Sequence, residues 1–395
     1  MKLEIIMDSQ RLTTNDNPRP SIIKRIRFAC KKKFESDVIL GRGTLFNADW
    51  HQLLRNHRKS HHFVVTDETV SYLYGGKLLS FLRKEGVNAD ICTVPAGEES
   101  KSIEAYARLS ANILKNGVDG SSCIVGLGGG VVNNIAGFLA STIYRGIGLI
   151  QIPTSLLSQV DAAIDFKQAI NGPSGKNHIG SYYPANIVVV DPDLLKTLPM
   201  RQLQNGLAET IKHAITEDGD FFDYLLSYRN NSFENEFLDR IVAHTIKLKV
   251  ALFHESANPE YSEMVRQYGH AVGHALEQIS QYKILHGEAI AIGMCITAET
   301  ALMLNICNEE TTSRHYEIMA RYKLPINVPS TISDTEILRA LRHDKYFLNN
   351  RTISALVPKI GSVRIDKTGS CAFAISDAVL VAAIKNNRAR KVVRL

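Results

Sequence analysis

The sequence predicts an N-terminal α/β nucleotide-binding domain followed by a mainly α-helical domain, and three observations predict this fold class. Strand-like and helix-like stretches alternate from about residue 23 to 190, and one apolar strand runs into the glycine-rich turn "GLGGG". From Asp191 onward, long stretches with helical spacing follow one another. Because alternating strands and helices are typical of a parallel sheet, we divide the chain into a flexible extension at 1–22, an α/β domain at 23–190 and a helical domain at 191–395.

The elements of the first domain are identified by their apolar patterns. Residues 61–67, 89–97 and 122–130 are short apolar runs next to turn residues, which predicts strands. Between them, residues 69–86 and 102–117 have apolar side chains at helical spacing, which predicts helices. This β-α-β-α-β order is typical of a parallel sheet with nucleotide-binding geometry.

The second domain is predicted to be helical because its apolar residues recur at helical spacing over long stretches. The four clearest stretches are "LPMRQLQNGLAETIKHAIT", "EFLDRIVAHTIKLKVALFHE", "SEMVRQYGHAVGHALEQIS" and "HGEAIAIGMCITAETALMLN". None of them is an uninterrupted apolar run of the length needed to cross a bilayer. We therefore expect no membrane partner for this domain.

Composition indicates a globular protein, with 45% hydrophobic and 22% charged residues. The six cysteines are scattered without a C-x-x-C pair, which disfavours a disulfide framework and favours a reducing cytoplasm. The net charge is +6, but much of the excess lies near the two ends of the chain. No nucleic-acid-binding motif accompanies it, so we expect no nucleic-acid partner.

The glycine-rich turn is a candidate phosphate site. Gly128, Gly129 and Gly130 let the backbone approach a ligand, and the helix that follows offers free N–H groups to a pyrophosphate. The spacing is not G-x-G-x-x-G, so a structural tight turn is an equal alternative. Glu98 and Lys101 follow another strand, where ribose hydroxyls and phosphates are commonly bound.

Three histidines and a glutamate occur on successive predicted helices. His270 and His274 are four residues apart and share one helix face. His286 begins the next helix, and Glu209 lies on an earlier one. Two or three of these side chains would bind a divalent metal and leave a position open for a substrate oxygen. A packed core histidine is the alternative for each histidine alone, and the absence of H-E-x-x-H disfavours a metalloprotease.

Basic side chains surround these candidates. Arg145 precedes a buried strand, while Lys167 and Lys176 bracket the irregular segment "KQAINGPSGK". Lys212 lies one helical turn after Glu209. Each alone is typical of a surface charge, but together they indicate a phosphorylated or otherwise anionic polyol as substrate.

From about residue 35 to 365 the chain resembles the sugar phosphate cyclases, the family of 3-dehydroquinate synthase. The motifs that carry the resemblance are "GLGGGVVNNIAGF", "YRG", "IPTSLLSQVD", "GKNHIGSYYP", "LKTLP", "AETIKHAI", "YGHAVGHA" and "HGEAIAIGM", in the family order. The resemblance implies an active site between the two domains, NAD and a divalent metal (zinc or cobalt) as cofactors, a small-molecule sugar phosphate as substrate, and a homodimer.

The resemblance also assigns roles to residues of this chain. It implies that Glu209, His270 and His286 bind the metal and that His274 is a nearby catalytic histidine. The other catalytic residues are Lys167, Asn177, Lys212 and Gln267. Substrate and phosphate are bound by Arg145, Asp161, Lys176, Lys249 and Glu263. The cofactor contacts are Asp67, Glu98, Lys101, Gly129, Gly130, Val131, Asn134, Thr154, Ser155 and Thr197.

Three details resemble 2-deoxy-scyllo-inosose synthase more than dehydroquinate synthase. The chain reads "DFKQAIN" where dehydroquinate synthases have G-G-K-T, and Asn134 stands where they have Asp. Glu263 replaces an Arg that handles the substrate carboxylate, and two facing carboxylates repel each other. We therefore expect conversion of glucose 6-phosphate to 2-deoxy-scyllo-inosose with elimination of phosphate. Asp165, Gln267 and Tyr346 depart from the pattern and leave room for a different sugar phosphate.

Three alternatives stay open at this point. The chain could be a 3-dehydroquinate synthase or another sugar phosphate cyclase. It could be a metal-dependent polyol dehydrogenase, which would use the same cofactors but release NADH. It could also be a degenerate cyclase that serves as a scaffold, although retention of all three metal-ligand residues argues against that.

Overall fold

The structure is a computed structural model that describes residues 35–47, 61–173, 175–228, 233–254 and 258–391. It also describes the backbone of two strands nearer the N-terminus, β1 (Asp8–Leu12) and β2 (Ile23–Arg27), which pair antiparallel. Contacts divide the chain into residues 1–36 and residues 37–395. Apart from β1, the predicted flexible extension at 1–22 lies outside the described residues.

A six-stranded parallel sheet organises the first half of the larger unit. Its strands in chain order are β3 (Asp37–Leu40), β4 (His62–Asp67), β5 (Ala89–Val94), β6 (Cys123–Gly128), β7 (Gly148–Pro153) and β10 (Ile187–Val190). Between β7 and β10 the chain forms a separate antiparallel hairpin of β8 (Lys167–Gly172) and β9 (Gly175–Tyr182). The spatial order is β3-β10-β7-β6-β4-β5. Every residue of β6 is buried, as expected for a central strand covered on both faces.

Helices cover this sheet. They are α1 (Thr44–Asn47), α2 (Gly76–Lys84), α3 (Ile103–Lys115) and α4 (Gly130–Thr142). The predicted helix at 69–86 is less regular than its sequence suggests, because a π-helical stretch at Ser71–Gly75 precedes α2. The parallel sheet predicted from the β-α-β-α-β order is confirmed.

Helices dominate the chain after β10, which confirms the predicted fold class. They are α5 (Met200–Glu217), α6 (Gly219–Ser227), α7 (Asn235–Ala251), α8 (Pro259–Arg266), α9 (His270–Ile279), α10 (His286–Met303), α11 (Glu309–Arg321), α12 (Asp334–Leu341) and α13 (Asp377–Ala389). Helix α10 is apolar and buried along nearly its whole length, as befits a central helix. Among the described helices, none is both long and apolar enough to cross a bilayer.

Two details differ from the sequence-based expectation. The single helix expected at 262–280 is broken into α8 and α9 at Gly269, which has a φ of 77°. A Cβ atom there would lie 2.8 Å from the backbone nitrogen of Met294, so only glycine fits both the angle and the space. The helical part also contains a three-stranded antiparallel sheet of β11 (Phe347–Leu348), β12 (Arg351–Ser354) and β13 (Phe373–Ile375).

Candidate active site

A cavity of about 990 Å³ opens at the carboxyl ends of the parallel strands. Its sheet side is lined by Asp67 at the end of β4, Glu98 after β5, Gly129 after β6 and Thr154 after β7. Chain connections leave β4 and β6 in opposite directions, which makes the gap between these neighbouring strands a topological switch point. Ligands of open α/β sheets bind at such points, and helices α9 and α10 line the opposite side.

Most of the predicted site residues line this single cavity. They are Asp67, Glu98, Lys101, Gly129, Gly130, Val131, Asn134, Thr154, Ser155, Asp161, Lys167, Lys176, Asn177, Lys212, Gln267, His270, His274 and His286. These residues span more than 200 positions of the chain, yet the fold brings all of them to the lining of the same cavity.

Five predicted residues are not part of the lining. Glu209, Lys249 and Glu263 lie directly behind it, where they bond to lining side chains. The Thr197 hydroxyl is instead 2.7 Å from the Tyr74 hydroxyl. Arg145 is exposed in a turn where its own φ is 62°, so the structure does not bring it to the cavity of its own chain.

The glycine-rich turn forms a cradle at the end of β6. Helix α4 begins at Gly130, and no side chain caps its N-terminus, so its first N–H groups are available to a ligand. A Cβ atom at Gly129 would lie 3.3 Å from the Ser155 hydroxyl oxygen and narrow this space. The arrangement suits a pyrophosphate on a helix N-terminus.

Glu209, His270 and His286 each bring a possible ligand atom within 4.8 Å of the others, and Glu209 forms a second such group with Asp161 and His213. The Oε1 atom of Glu209 lies 3.5 Å from Nε2 of both His270 and His286. Among the residues that the structure describes, this buried oxygen has no hydrogen-bond partner, whereas Oε2 accepts a hydrogen bond from the Lys212 ammonium. A buried carboxylate oxygen without a donor, facing two imidazole nitrogens, fits a divalent cation between them.

The other nitrogen of each ligand histidine is held by an acceptor. Nδ1 of His270 is 3.1 Å from the carbonyl oxygen of Tyr268, and Nδ1 of His286 is 3.1 Å from Glu277 Oε2. Because a carbonyl and a carboxylate only accept, both Nδ1 atoms donate, and both Nε2 atoms are directed to Glu209. Such contacts orient and tune metal ligands in proteins.

The charges of the cluster suit a cation as well. Burial lowers the pKa of His270 well below its usual value, so this ring is neutral. Burial also lowers the pKa of His286, but the Glu277 and Glu209 carboxylates outweigh it and raise this pKa to about 9. Burial raises the pKa of Glu209, yet Lys212 and the histidines hold it well below its usual value.

His274 has a partner that the sequence reasoning missed. Its Nδ1 lies 3.0 Å from Oδ2 of Asp344, so Nδ1 donates to this carboxylate. Both residues line the cavity. His274 therefore lies outside the group formed by Glu209, His270 and His286.

Glu263 is the centre of a second charged cluster. Its carboxylate lies 3.0 Å from the Lys167 ammonium, 2.8 Å from the Arg266 guanidinium and 3.3 Å from the Lys345 ammonium, and the Tyr346 hydroxyl donates to it. Burial raises the pKa of Glu263, but Lys167 and Tyr346 outweigh it and bring it well below its usual value. Glu263 is thus a charged carboxylate that is stabilised by the cations around it.

The β8–β9 hairpin connects the nucleotide side of the cavity to the metal side. The Lys176 ammonium lies 2.7 Å from Glu277 and 4.0 Å from Glu98. Lys101 donates to the side-chain oxygen of Asn177, which has a φ of 59°. Burial lowers the pKa of Lys101 to about 8, although Glu98 partly offsets this effect.

Lys249 lies beneath the cavity floor rather than on it. Its side chain is fully buried, and its ammonium donates to Asp161 and, at 3.3 Å, to Asp165. Burial lowers the pKa of Lys249, but the two carboxylates outweigh it and raise the pKa above its usual value. The predicted substrate contact is therefore a buried counter-ion for two aspartates, and the sequence reasoning did not pair them.

Two family models match adjacent parts of the chain. The model described as 3-dehydroquinate synthase N-terminal matches residues 91–205, and the one described as 3-dehydroquinate synthase C-terminal matches residues 206–347. A 3-dehydroquinate synthase of Prochlorococcus marinus subsp. pastoris is 36% identical over 338 residues, which is 83% of this chain and 92% of the relative. One from Desulforamulus reducens is 36% identical over 307 residues, 77% of this chain and 86% of the relative.

Solved structures share the fold. A 2-epi-5-epi-valiolone synthase from Streptomyces hygroscopicus subsp. jinggangensis with bound NAD⁺ and Zn²⁺ has a TM-score of 0.82 at 24% identity, covering 92% of this chain and 100% of its own. A 2-deoxy-scyllo-inosose synthase complexed with carbaglucose-6-phosphate, NAD⁺ and Co²⁺ has a TM-score of 0.81 at 25% identity, covering 89% of this chain and 96% of its own. A glycerol dehydrogenase from Schizosaccharomyces pombe has a TM-score of 0.56 at 18% identity, covering 89% of each chain.

Proposed function

Since the chain belongs to the 3-dehydroquinate synthase family of sugar phosphate cyclases, we propose that it converts glucose 6-phosphate to 2-deoxy-scyllo-inosose and phosphate. One observation carries the choice of substrate. Glu263, which stands where dehydroquinate synthases have an Arg, accepts a hydrogen bond from Tyr346 beside the cavity, and Tyr346 itself departs from the pattern of the inosose synthases.

The hydrogen bond between Glu263 and Tyr346 links these two departures from the family pattern, so we treat them as one paired substitution. Where dehydroquinate synthases have an Arg and the family usually has a second Lys, this chain has a carboxylate and a hydroxyl that satisfy each other. The Arg suited to a substrate carboxylate is replaced by Glu263, whose negative charge would repel that carboxylate. Glu263 already accepts from four donors, so its negative charge rather than a free acceptor site is what supports a substrate without a carboxylate.

The residues of the cavity fit both cofactors. Glu209, His270 and His286 would bind a zinc or cobalt ion, and the turn at Gly129 together with Glu98 would bind NAD. When bound, NAD accepts a hydride from a substrate carbon and later returns it, while the metal polarises the oxygen on that carbon.

The chain's own residues position the sugar and move its protons. His274 Nε2, left free by the Asp344 contact, is the acceptor for a substrate proton. Lys167 and Lys176 supply ammonium groups for the phosphoryl oxygens and stabilise the phosphate as it leaves. Asn177, held by Lys101, orients the bound sugar.

The direct test is incubation of the purified protein with glucose 6-phosphate, NAD and cobalt. We expect inorganic phosphate and a six-membered carbocyclic ketone, identified by mass spectrometry, with no net accumulation of NADH because the hydride is returned. Accumulation of NADH with a polyol would instead identify a dehydrogenase.

A second candidate function is 3-dehydroquinate synthase itself. The observation that favours it is the name of the relatives that are 36% identical to this chain. The same assay separates the two, because turnover of only the seven-carbon heptulosonate phosphate would overturn the proposed function and support this one.

The Glu263–Tyr346 exchange predicts a switch in substrate. A double variant, Glu263→Arg with Tyr346→Lys, should bind the heptulosonate phosphate roughly 10- to 100-fold more tightly, since hydrogen bonds between charged groups contribute about 1.5–3 kcal/mol. Turnover of glucose 6-phosphate should fall at the same time. Dissociation constants from calorimetry and initial phosphate-release rates measure both effects.

The matched control for this switch is Tyr346→Phe, which removes only the hydroxyl. It should weaken glucose 6-phosphate turnover less than the double variant and should give no gain toward the heptulosonate phosphate. An unchanged preference in the double variant would show that this cluster does not select the substrate.

The proposed function keeps the homodimer that the resemblance implies. Arg145 then fits a role in phosphate binding only if the second subunit presents it to the cavity, because it is exposed and lies outside the lining of its own chain. Symmetric dimers place such a residue in both sites at once.

A further inference from the structure

We propose that Glu277 is a positioning residue that fixes the metal ligand His286 and the cavity lysine Lys176 through its two carboxylate oxygens. Oε2 lies 3.1 Å from His286 Nδ1, and Oε1 lies 2.7 Å from the Lys176 ammonium. The residue is only 2% exposed although it borders the cavity. No role was predicted for Glu277 from the sequence.

The helix geometry explains how one carboxylate reaches both partners. Glu277 lies seven residues after His270 on α9, so the two share a helix face. The next helix, α10, begins with His286. Helix α9 therefore supplies one proposed metal ligand directly and orients the other through Glu277.

The two contacts together require a carboxylate. A carboxylate offers two acceptors, whereas the amide of glutamine offers one acceptor and one donor. If the amide oxygen of a glutamine accepted from Nδ1 of His286, its NH₂ group would face the Lys176 ammonium. If the amide turned over, the NH₂ group would face Nδ1–H and favour the tautomer with the proton on Nε2, which removes the lone pair that the metal needs.

Glu277 therefore determines the protonation pattern of His286 as well as its orientation. Lys176 holds the carboxylate oxygen that His286 does not contact and is itself 5.7 Å from the ring centre of Tyr282. The chain Lys176–Glu277–His286 links a proposed substrate contact to the proposed metal site. The inference rests on the metal centre of the proposed function but not on the identity of the sugar.

Cobalt binding without any sugar tests the inference. Metal-free full-length protein is titrated with Co²⁺ against a chelator, and the visible absorption of the bound ion is recorded. We expect Glu277→Gln to weaken Co²⁺ binding roughly 10- to 100-fold, as is typical for partners of metal-bound histidines, and to change the absorption bands. Co²⁺ affinity equal to that of the wild type would overturn the positioning role.

Glu299→Gln is the matched control. Glu299 is also 2% exposed and is paired with a cation, Arg390 at 2.7 Å, but it does not line the cavity. Its Co²⁺ affinity should stay within about twofold of the wild type. An equal loss in both variants would mean that any buried ion pair has this effect, and the inference would fail.

Glu277→Asp provides the test if the glutamine variant does not fold. Aspartate keeps two acceptors and the charge but is one methylene shorter. The Co²⁺ affinity of Glu277→Asp should therefore lie between those of the wild type and Glu277→Gln. If Glu277→Gln does not fold, Glu277→Asp is compared with the wild type alone and should lose less than about 100-fold. A loss in Glu277→Asp beyond about 100-fold would contradict the inference. Failure of the wild type to bind Co²⁺ would instead reject the metal centre of the proposed function, so the two failures are distinguishable.

Discussion

Glutamine in place of Glu209 is expected to lower turnover roughly 10³-fold and to abolish tight metal binding. Glu209 is the one carboxylate of the three-residue ligand cluster, and its second oxygen accepts from Lys212. A neutral amide would lose the charge that attracts the cation and would direct an NH₂ group at either the metal or the lysine. A bound metal contributes several kcal/mol to a transition state, and about 1.4 kcal/mol corresponds to a tenfold change in rate.

The measurements are metal content after dialysis and the rate of phosphate release at saturating substrate. Glu217→Gln is the matched control, because it lies on the same helix, contacts His213 at 2.5 Å and does not line the cavity. It should keep both metal and activity. Retention of metal and near-normal turnover in Glu209→Gln would show that the cation binds elsewhere.

Methionine in place of Lys249 is expected to lower the free energy of unfolding by about 3–5 kcal/mol, the typical cost of breaking a buried ion pair on one side. The side chain is fully buried, and its loss leaves Asp161 and Asp165 without their counter-ion. Methionine is unbranched and only one heavy atom shorter than lysine, so the expected loss is mainly electrostatic rather than a cavity effect. Urea denaturation followed by circular dichroism measures it.

Two further variants separate charge from packing. Lys247→Met on the same helix changes an exposed lysine and should alter stability by no more than about 0.5 kcal/mol. Adding Asp161→Asn and Asp165→Asn to Lys249→Met should recover part of the lost stability, since no unpaired charge then remains. A Lys249→Met protein as stable as the wild type would mean that the two aspartates are satisfied by other groups.

The parallel sheet and the helical half were predictable because their signals are local. Apolar runs and helical spacing show directly in the sequence, and the glycine-rich turn marks the end of β6. The break at Gly269 was not predictable, because it depends on how closely α10 approaches. "YGHAVGHALE" shows unbroken helical spacing, and the need for glycine is set by Met294, 25 residues later.

The site residues also divide into those predictable from local spacing and those that depend on distant partners. Spacing placed His270 and His274 on one face but could not tell which of them binds a metal; in the structure, Asp344 holds His274 and Glu209 faces His270. Asp344 is 70 residues away from His274 in sequence. A glutamate on an amphipathic helix is typical of a solvated face, so Glu277 gave no signal without its partner Lys176, 101 residues away.

The pairing of the cavity lysines has a consequence for product inhibition. Lys167, Lys176 and Lys212 each bond to a glutamate of the protein. Under the proposed function, a bound phosphate shares these ammonium groups with the resident carboxylates, and its departure after elimination leaves no bare ammonium behind. The glutamates thus compete with free inorganic phosphate for the lysine ammonium groups. This competition favours release of the phosphate product and limits inhibition of the enzyme as phosphate accumulates.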